Sequence, residues 1–245
     1  MLSKAQIKYI RSLTQQKYRK EHNVLVAEGD KIVREWLSSG TAIRMIVAEE
    51  SWVGSNLSLI GRHPEAEVFQ VPASVLSSVS SLQTPNQVLI VAAMPAPPAG
   101  LPEGGWMLLL EQLQDPGNMG TIIRIADWFG IPHIVLSPDC ADVYNPKVIQ
   151  AAMGGHLRIS FHVADLSAFI PVCPVPVYAA TLDGRPMREF SPSESGALLV
   201  GNESRGISDA LLPLVQQRIT IPRRGGAESL NAAVATGILC SCLLP

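Results

Sequence analysis

Residues Met94 to Gly105 read MPAPPAGLPEGG, and this stretch constrains the fold more than any other. Its four prolines and three glycines cannot continue a helix or a central strand. The chain is therefore expected to fold as two bodies, residues 1–94 and 106–245, joined by a linker at 95–105. Apolar residues make up 47% of the 245, ample for two cores. Charged residues make up 16%, against roughly 25% in an average soluble protein. That balance excludes a disordered tail protein and points to extensive buried surface, including surface between subunits.

Both bodies read as α/β. In the first, Ala5 to Tyr18 is expected to be helical, Val24–Glu28 a strand, and Asp30–Ser38 a helix with Ile32, Val33, Trp36 and Leu37 at helical spacing. Ile43–Ala48, Val68–Val71 and Val88–Ala92 are strand-like, and Pro72 to Leu82 is expected as a helix opened by proline. In the second, strands at 106–110, 133–136, 158–163, 177–181, 197–200 and 219–221 alternate with helices at 119–129, 146–153, 166–170 and 230–243. Repeated β-α units predict a parallel sheet with helices on both faces. Ligands of such sheets bind beyond the carboxyl ends of the strands, so the loops there are the place to look for chemistry.

Three of those loops stand out. Gln114–Arg124 reads QDPGNMGTIIR; Asn118 suits a helix N-cap, and Arg124 falls off the inward stripe. Gly201–Ile207 reads GNESRGI, where Gly201 permits close approach to the backbone; it matches neither a dinucleotide fingerprint nor a P-loop. Ile221–Ala233 reads IPRRGGAESLNAA; its arginines and glycines suit an anionic ligand or a flexible surface loop. Ser229 or Glu228 is expected to open the last helix. Asn231, in an apolar helix start, needs a partner if buried.

In this order the loops resemble the SpoU, or TrmH, branch of the SPOUT RNA methyltransferases. The likeness rests on D-P-x-N-x-G-x-x-x-R at Asp115–Arg124, G-N-E-x-x-G at Gly201–Gly206 and I-P-x-x-G-x-x-x-S-L-N at Ile221–Asn231. The segments Ile10–Leu13, Lys17–Arg19 and Val26–Gly29 are similar to the start of the substrate-binding domain, itself like a ribosomal RNA-binding α/β fold, that precedes many such catalytic domains. The resemblance implies a catalytic domain whose C-terminal segment threads a loop to make a trefoil knot, a rarity among folds, and a homodimer through that domain. It implies S-adenosylmethionine as cofactor and a ribose 2′-hydroxyl of RNA as acceptor, in ribosomal RNA first and transfer RNA second. A non-catalytic RNA-binding or assembly protein on the same fold is the reading from another class.

By the same resemblance, Asn118, Arg124, Glu203, Ser229 and Asn231 occupy the catalytic positions, and Gly201, Ile221, Leu230 and Thr181 the cofactor site. The donor's leaving group already carries positive charge, so the chemistry demands no metal; what it needs is a positioned 2′-hydroxyl. A guanidinium, with a pKa above about 12, makes a poor general base, so Arg124 is expected to hold a phosphate and stabilise alkoxide charge.

Charge supports an RNA partner. Residues 1–34 hold eight basic and three acidic side chains, a net +5, which leaves −7 for the remainder of a chain with net charge −2. Lys17, Arg19 and Lys20, with Arg223 and Arg224 in the last loop, are the expected RNA contacts. The four cysteines show no metal-ligand spacing and are read as free thiols, and no structural metal is expected. Mean hydropathy is +0.22, yet the apolar runs are too short or too polar to span a bilayer. The charged N-terminus lacks a signal-peptide core. No membrane association and a cytoplasmic location are expected.

Overall fold

The strands sort into two sheets of different kind. The computed structural model describes residues 2–82 and 84–245. In chain order the elements are α1 (Lys4–Ser12), α2 (Gln16–His22), β1 (Val24–Glu28), α3 (Asp30–Ser38), β2 (Ile43–Ala48), α4 (Glu50–Ser55), α5 (Leu57–Ile60), β3 (Glu67–Gln70), α6 (Ala73–Val79) and β4 (Val88–Ala93). Then come β5 (Trp106–Leu110), α7 (Pro116–Trp128), β6 (His133–Leu136), α8 (Pro146–Ala152), β7 (Ser160–Val163), α9 (Leu166–Phe169), β8 (Val177–Pro186), β9 (Gly196–Val200), β10 (Gln217–Thr220) and α10 (Ala232–Leu243). One compact unit comprises Met1–Ala96 and Asp142–Leu157, the other Pro97–Ala141 and Arg158–Pro245.

The first unit is built on a four-stranded sheet in the order β1-β4-β2-β3. Its strand residues alternate between two faces. Leu25, Ala27, Ile46 and Ile90 pack with Ile32, Val33, Trp36 and Leu37 of α3, and with Ile149 of α8. Val24, Val26, Val47 and Val91 pack with Ile10, Leu13, Leu76 and Val79. Residues 142–157 thus contribute to this core although β6 and β7, which flank them in sequence, belong to the other unit.

The helix expected over Ala5–Tyr18 is broken in two. At Ser12–Gln15 the hydroxyls of Ser12 and Thr14 turn back to donate to the carbonyls of Tyr9 and Arg11 (2.7 and 2.8 Å), a side-chain alternative to helical bonding. The break frees the Leu13 carbonyl, which accepts from Arg19 instead.

The second unit holds a six-stranded sheet, β10-β8-β9-β5-β6-β7, parallel throughout. Its central strands are near-continuous apolar runs, buried on both faces. α9 lies against one face through Leu166 and Phe169. α10 contacts β8 and β9, and α7 contacts α10. On α7 the buried side chains include Met119, Ile122, Ile123 and Ala126, and Ile125 approaches Gly237 of α10.

β8 runs five residues beyond its expected end, because after a register shift its far half pairs with β10. Gly184 makes that possible: a Cβ there would lie 2.6 Å from the Arg218 carbonyl carbon. Because these strands run parallel, the carboxyl ends of β5, β8, β9 and β10 lie toward the same end of the sheet.

Candidate active site

The loop after β5 begins with a helix cap. Asp115, not Asn118 as expected, is the N-cap of α7: its Oδ1 accepts from the Asn118 backbone N–H at 2.7 Å, and Pro116 occupies the first turn. The Asn118 side chain is released from capping and turns to its neighbours. Its Nδ2 donates to Glu203 Oε1 at 3.2 Å, and its Oδ1 accepts from Asn231 Nδ2 at 2.7 Å.

Asn231 is the N-cap of α10, accepting from the Ala233 and Val234 N–H groups (2.9 and 3.3 Å). The last helix therefore opens there, and neither Glu228 nor Ser229 caps it. Glu203 also accepts from the Asp115 and Gln114 N–H groups (3.0 and 3.4 Å). Burial alone would raise its pKa, but these hydrogen bonds outweigh it and hold the carboxyl below its ordinary value. Three loops far apart in sequence are joined by one line, Glu203–Asn118–Asn231.

That line floors a polar cleft whose rim also carries Gln114, Asn202, Ser204 and Arg205. Beside it opens a cavity of about 610 Å³, a size suited to a small-molecule cofactor. Thr181, Gly201, Ile221 and Leu230, the four expected cofactor residues, all line it, as do Glu203, Ser229, Arg223 and Arg224. Gly201 has a second reason to be glycine: a Cβ would lie 2.3 Å from the Gly206 carbonyl carbon, inside the loop's own return. Asn202 and Gly206 close that loop with reciprocal backbone hydrogen bonds of 3.0 and 2.9 Å.

Thr181 supplies a test of fit for a ligand. Its Oγ1 is buried yet has no hydrogen-bond partner among the described residues, a state that calls for an occupant. Apolar walls from Ile219, Ile221 and Leu212 suit a neutral base.

The remaining expected residues lie elsewhere. Arg124 is exposed on α7, lines neither cavity nor cleft, and has no hydrogen-bond or ion-pair partner among the described residues. Arg223, by contrast, stays on the cavity wall and donates to the Ala227 carbonyl at 3.3 Å. Lys17 and Lys20 are exposed on α2. Arg19 corrects the expectation: it is 1% exposed, paired with Asp142 and bonded to the Leu13 carbonyl, so its guanidinium is withdrawn from any RNA phosphate. Among the described residues no group of three or more His, Cys, Asp or Glu could hold a metal, and no helix is long and apolar enough to cross a membrane.

Comparison with known proteins decides the lineage. The pattern of the SpoU rRNA methylase family matches residues 105–241, and that of an MRM3-like substrate-binding domain matches residues 4–90. The chain belongs to the SpoU rRNA methylase family. It is 34% identical to the 23S rRNA guanosine 2′-O-methyltransferase RlmP of Bacillus subtilis, over 95% of this chain and 93% of that one. A Porphyromonas gingivalis protein assigned to the TrmH family of RNA methyltransferases superposes with a TM-score of 0.88 at 39% identity, covering 100% of this chain and 98% of the other. An AdoMet-bound rRNA methyltransferase of Sinorhizobium meliloti gives 0.86 at 31%, covering 99% and 95%.

A SpoU methylase takes its methyl group from S-adenosylmethionine, and the cavity with the unpartnered Thr181 hydroxyl fits that donor. Two residues escaped the sequence reading. Gln112 adopts a left-handed φ of 49°, and Arg205 bonds to its side chain. Arg205 fills an unspecified position of G-N-E-x-x-G, where the motif gives no signal; Gln112 lies just before the first motif.

Proposed function

We propose that this chain methylates a ribose 2′-hydroxyl of ribosomal RNA. The observation that carries the reading is the Glu203–Asn118–Asn231 line beside a cavity with an unsatisfied buried hydroxyl. S-adenosylmethionine supplies a methyl group on positively charged sulfur. Ile221 and Leu230 would flank its base, the Gly201 loop would offer backbone groups, and Thr181 Oγ1 would take a polar atom. Asn118 and Asn231 each spend one amide hydrogen on the line and keep a second for a ribose oxygen. Ser229, on the cavity wall, adds a hydroxyl. Glu203 positions Asn118 and the loop at Gln114–Asp115 rather than touching substrate.

Arg124 stabilises the developing alkoxide, and an RNA phosphate takes the proton. Its place outside the cavity accords with a homodimer in which each copy lends Arg124 to the other. Supporting that reading, α7 also exposes Trp128 (85%), and α10 exposes Val234 (51%). The C-terminal segment forms the trefoil knot. Residues 1–94, with Lys17 and Lys20, bind RNA; 95–105 link; 106–245 carry catalysis, with Arg223 and Arg224 as phosphate contacts.

Transfer of labelled methyl to total RNA from a strain lacking the gene tests this. Label is expected in large ribosomal RNA and lost with Arg124→Ala, while Arg124→Lys, which lacks the planar fork, stays well below the unaltered protein. Absence of label from every fraction, despite measurable cofactor binding, overturns the assignment.

A further inference from the structure

We infer that Arg205 grips a phosphate flanking the target ribose, and that Gln112 positions its guanidinium for the task. The inference rests on RNA being the acceptor. Four residues line both the cofactor cavity and the polar cleft: Asn202, Glu203, Ser204 and Arg205. Arg205 is the cation among them. The acceptor hydroxyl must lie where the two spaces meet, with the methyl donor on one side and Asn118 and Asn231 on the other. The phosphate on the neighbouring ribose oxygen is carried to the same boundary by the nucleotide's own covalent structure.

Arg205 is held there without being neutralised. Its backbone N–H donates to Asn202 Oδ1 at 3.1 Å, and its Nη2 donates to Gln112 Oε1 at 3.3 Å. No carboxylate pairs with it among the described residues, so its charge stays available at the rim of the cleft it lines. Gln112 is itself fixed at both ends of its peptide: its N–H donates to Ser137 Oγ at 2.9 Å, and its carbonyl accepts from Asn202 Nδ2 at 2.8 Å. A non-glycine residue kept at φ 49° by such bonds stores strain of a kind that gathers at ligand sites. An amide, unlike a carboxylate, aims a guanidinium and leaves it free to bind an anion bidentately.

The test compares Arg205→Gln, Arg205→Lys and Gln112→Ala with the unaltered protein. For Arg205→Gln the KM for ribosomal RNA is expected to rise about tenfold, as loss of a charge-assisted hydrogen bond implies. The salt dependence of RNA binding should flatten by about 0.7 in log–log slope, one single-strand phosphate's worth. Affinity for S-adenosylmethionine should not change. Arg205→Lys should restore the slope but only part of the affinity. Gln112→Ala should raise KM less, with the slope intact, and add nothing once Arg205 is replaced.

An unchanged RNA KM and slope in Arg205→Gln would overturn the inference. So would a raised S-adenosylmethionine Kd, since Arg205 would then hold the methionine carboxylate. RNA binding measured without turnover keeps the two proposals apart. If the unaltered protein fails to methylate RNA, the acceptor assignment falls while the slope still reports on Arg205.

Discussion

Arg19 and Arg205 carry the same guanidinium into opposite surroundings. In the first unit Arg19 is buried, paired with Asp142 and bonded to the Leu13 carbonyl; His156 of the same unit is buried as well, with Nε2 on the Val143 carbonyl at 2.7 Å. In the second unit Arg205, Asn118 and Asn231 engage one another's loops and keep donors in reserve at an open cleft. A buried polar group closed off from any cleft has only the fold on which to spend its hydrogen-bonding capacity. One at a cleft rim can divide it between fold and ligand. The polar residues of 1–96 and 142–157 named here should therefore answer to stability measurements, and those of the cleft to activity.

The largest contrast is expected at Arg19. Removing one partner of a buried ion pair strands the other, and such losses cost about 3–5 kcal/mol. Arg19→Met should lower the denaturation free energy by that order. Lys17→Ala and Lys20→Ala, on the same helix but exposed, should stay within about 0.5 kcal/mol. Pairing Arg19→Met with Asp142→Leu should recover much of the loss, because the stranded carboxylate is gone. Arg19→Met at native stability, with weakened RNA binding, would break the comparison and return Arg19 to the RNA contacts.

His156 sharpens the same contrast through pH. Burial pushes its pKa from 6.5 down to about 4. In the unfolded chain it titrates near its ordinary value, so between those pH values the unfolded state binds more protons and stability rises with pH. The contribution, of order 3 kcal/mol from that difference, is complete above pH 6.5 and lost as pH falls to about 4. Glu203, also lowered but half-exposed, loses its contribution only as pH falls through its own depressed pKa. Denaturation midpoints from pH 7 to pH 4.5 should thus drop steeply for the unaltered protein and less for His156→Gln. Equal slopes would show that His156 is not held neutral.

The difference between the units also marks what the sequence could disclose. β1, α3 and β2 were legible to the residue, because apolar spacing alone sets them. The three loops that carry the site were legible in place, because each follows a strand of the parallel sheet and their motifs, taken in order, resemble those of one family. Arg19 was not: a charge count treats it like Lys17, and its partner Asp142 is 123 residues away. Nor was the placement of α8, whose Ile149 is apolar in a way that suits either unit and chooses by three-dimensional fit. Asp115 and Asn118 are both good caps three residues apart. Which of them caps depends on where Asn231 and Glu203 arrive, and that is settled only once the sheet is assembled.

A smaller effect on stability than at Arg19 or His156, and the most selective one on function, is expected at Asn231, which belongs at once to fold and cleft. Its Oδ1 caps α10, and its Nδ2 reaches Asn118. Asn231→Ala removes both roles and should cost about 1 kcal/mol, the worth of a cap. Asn231→Asp separates them. An aspartate caps as well and adds a negative charge at a helix N-terminus, worth about 0.3–1 kcal/mol in its favour. It cannot donate to Asn118 Oδ1, and Asn118 cannot turn its amide without giving up Glu203. Native stability with methyl transfer reduced at least about tenfold, the scale of one lost hydrogen bond, is the expected result. Full turnover in Asn231→Asp would make the line a structural strut, and the contrast between the two units would then lie in exposure alone.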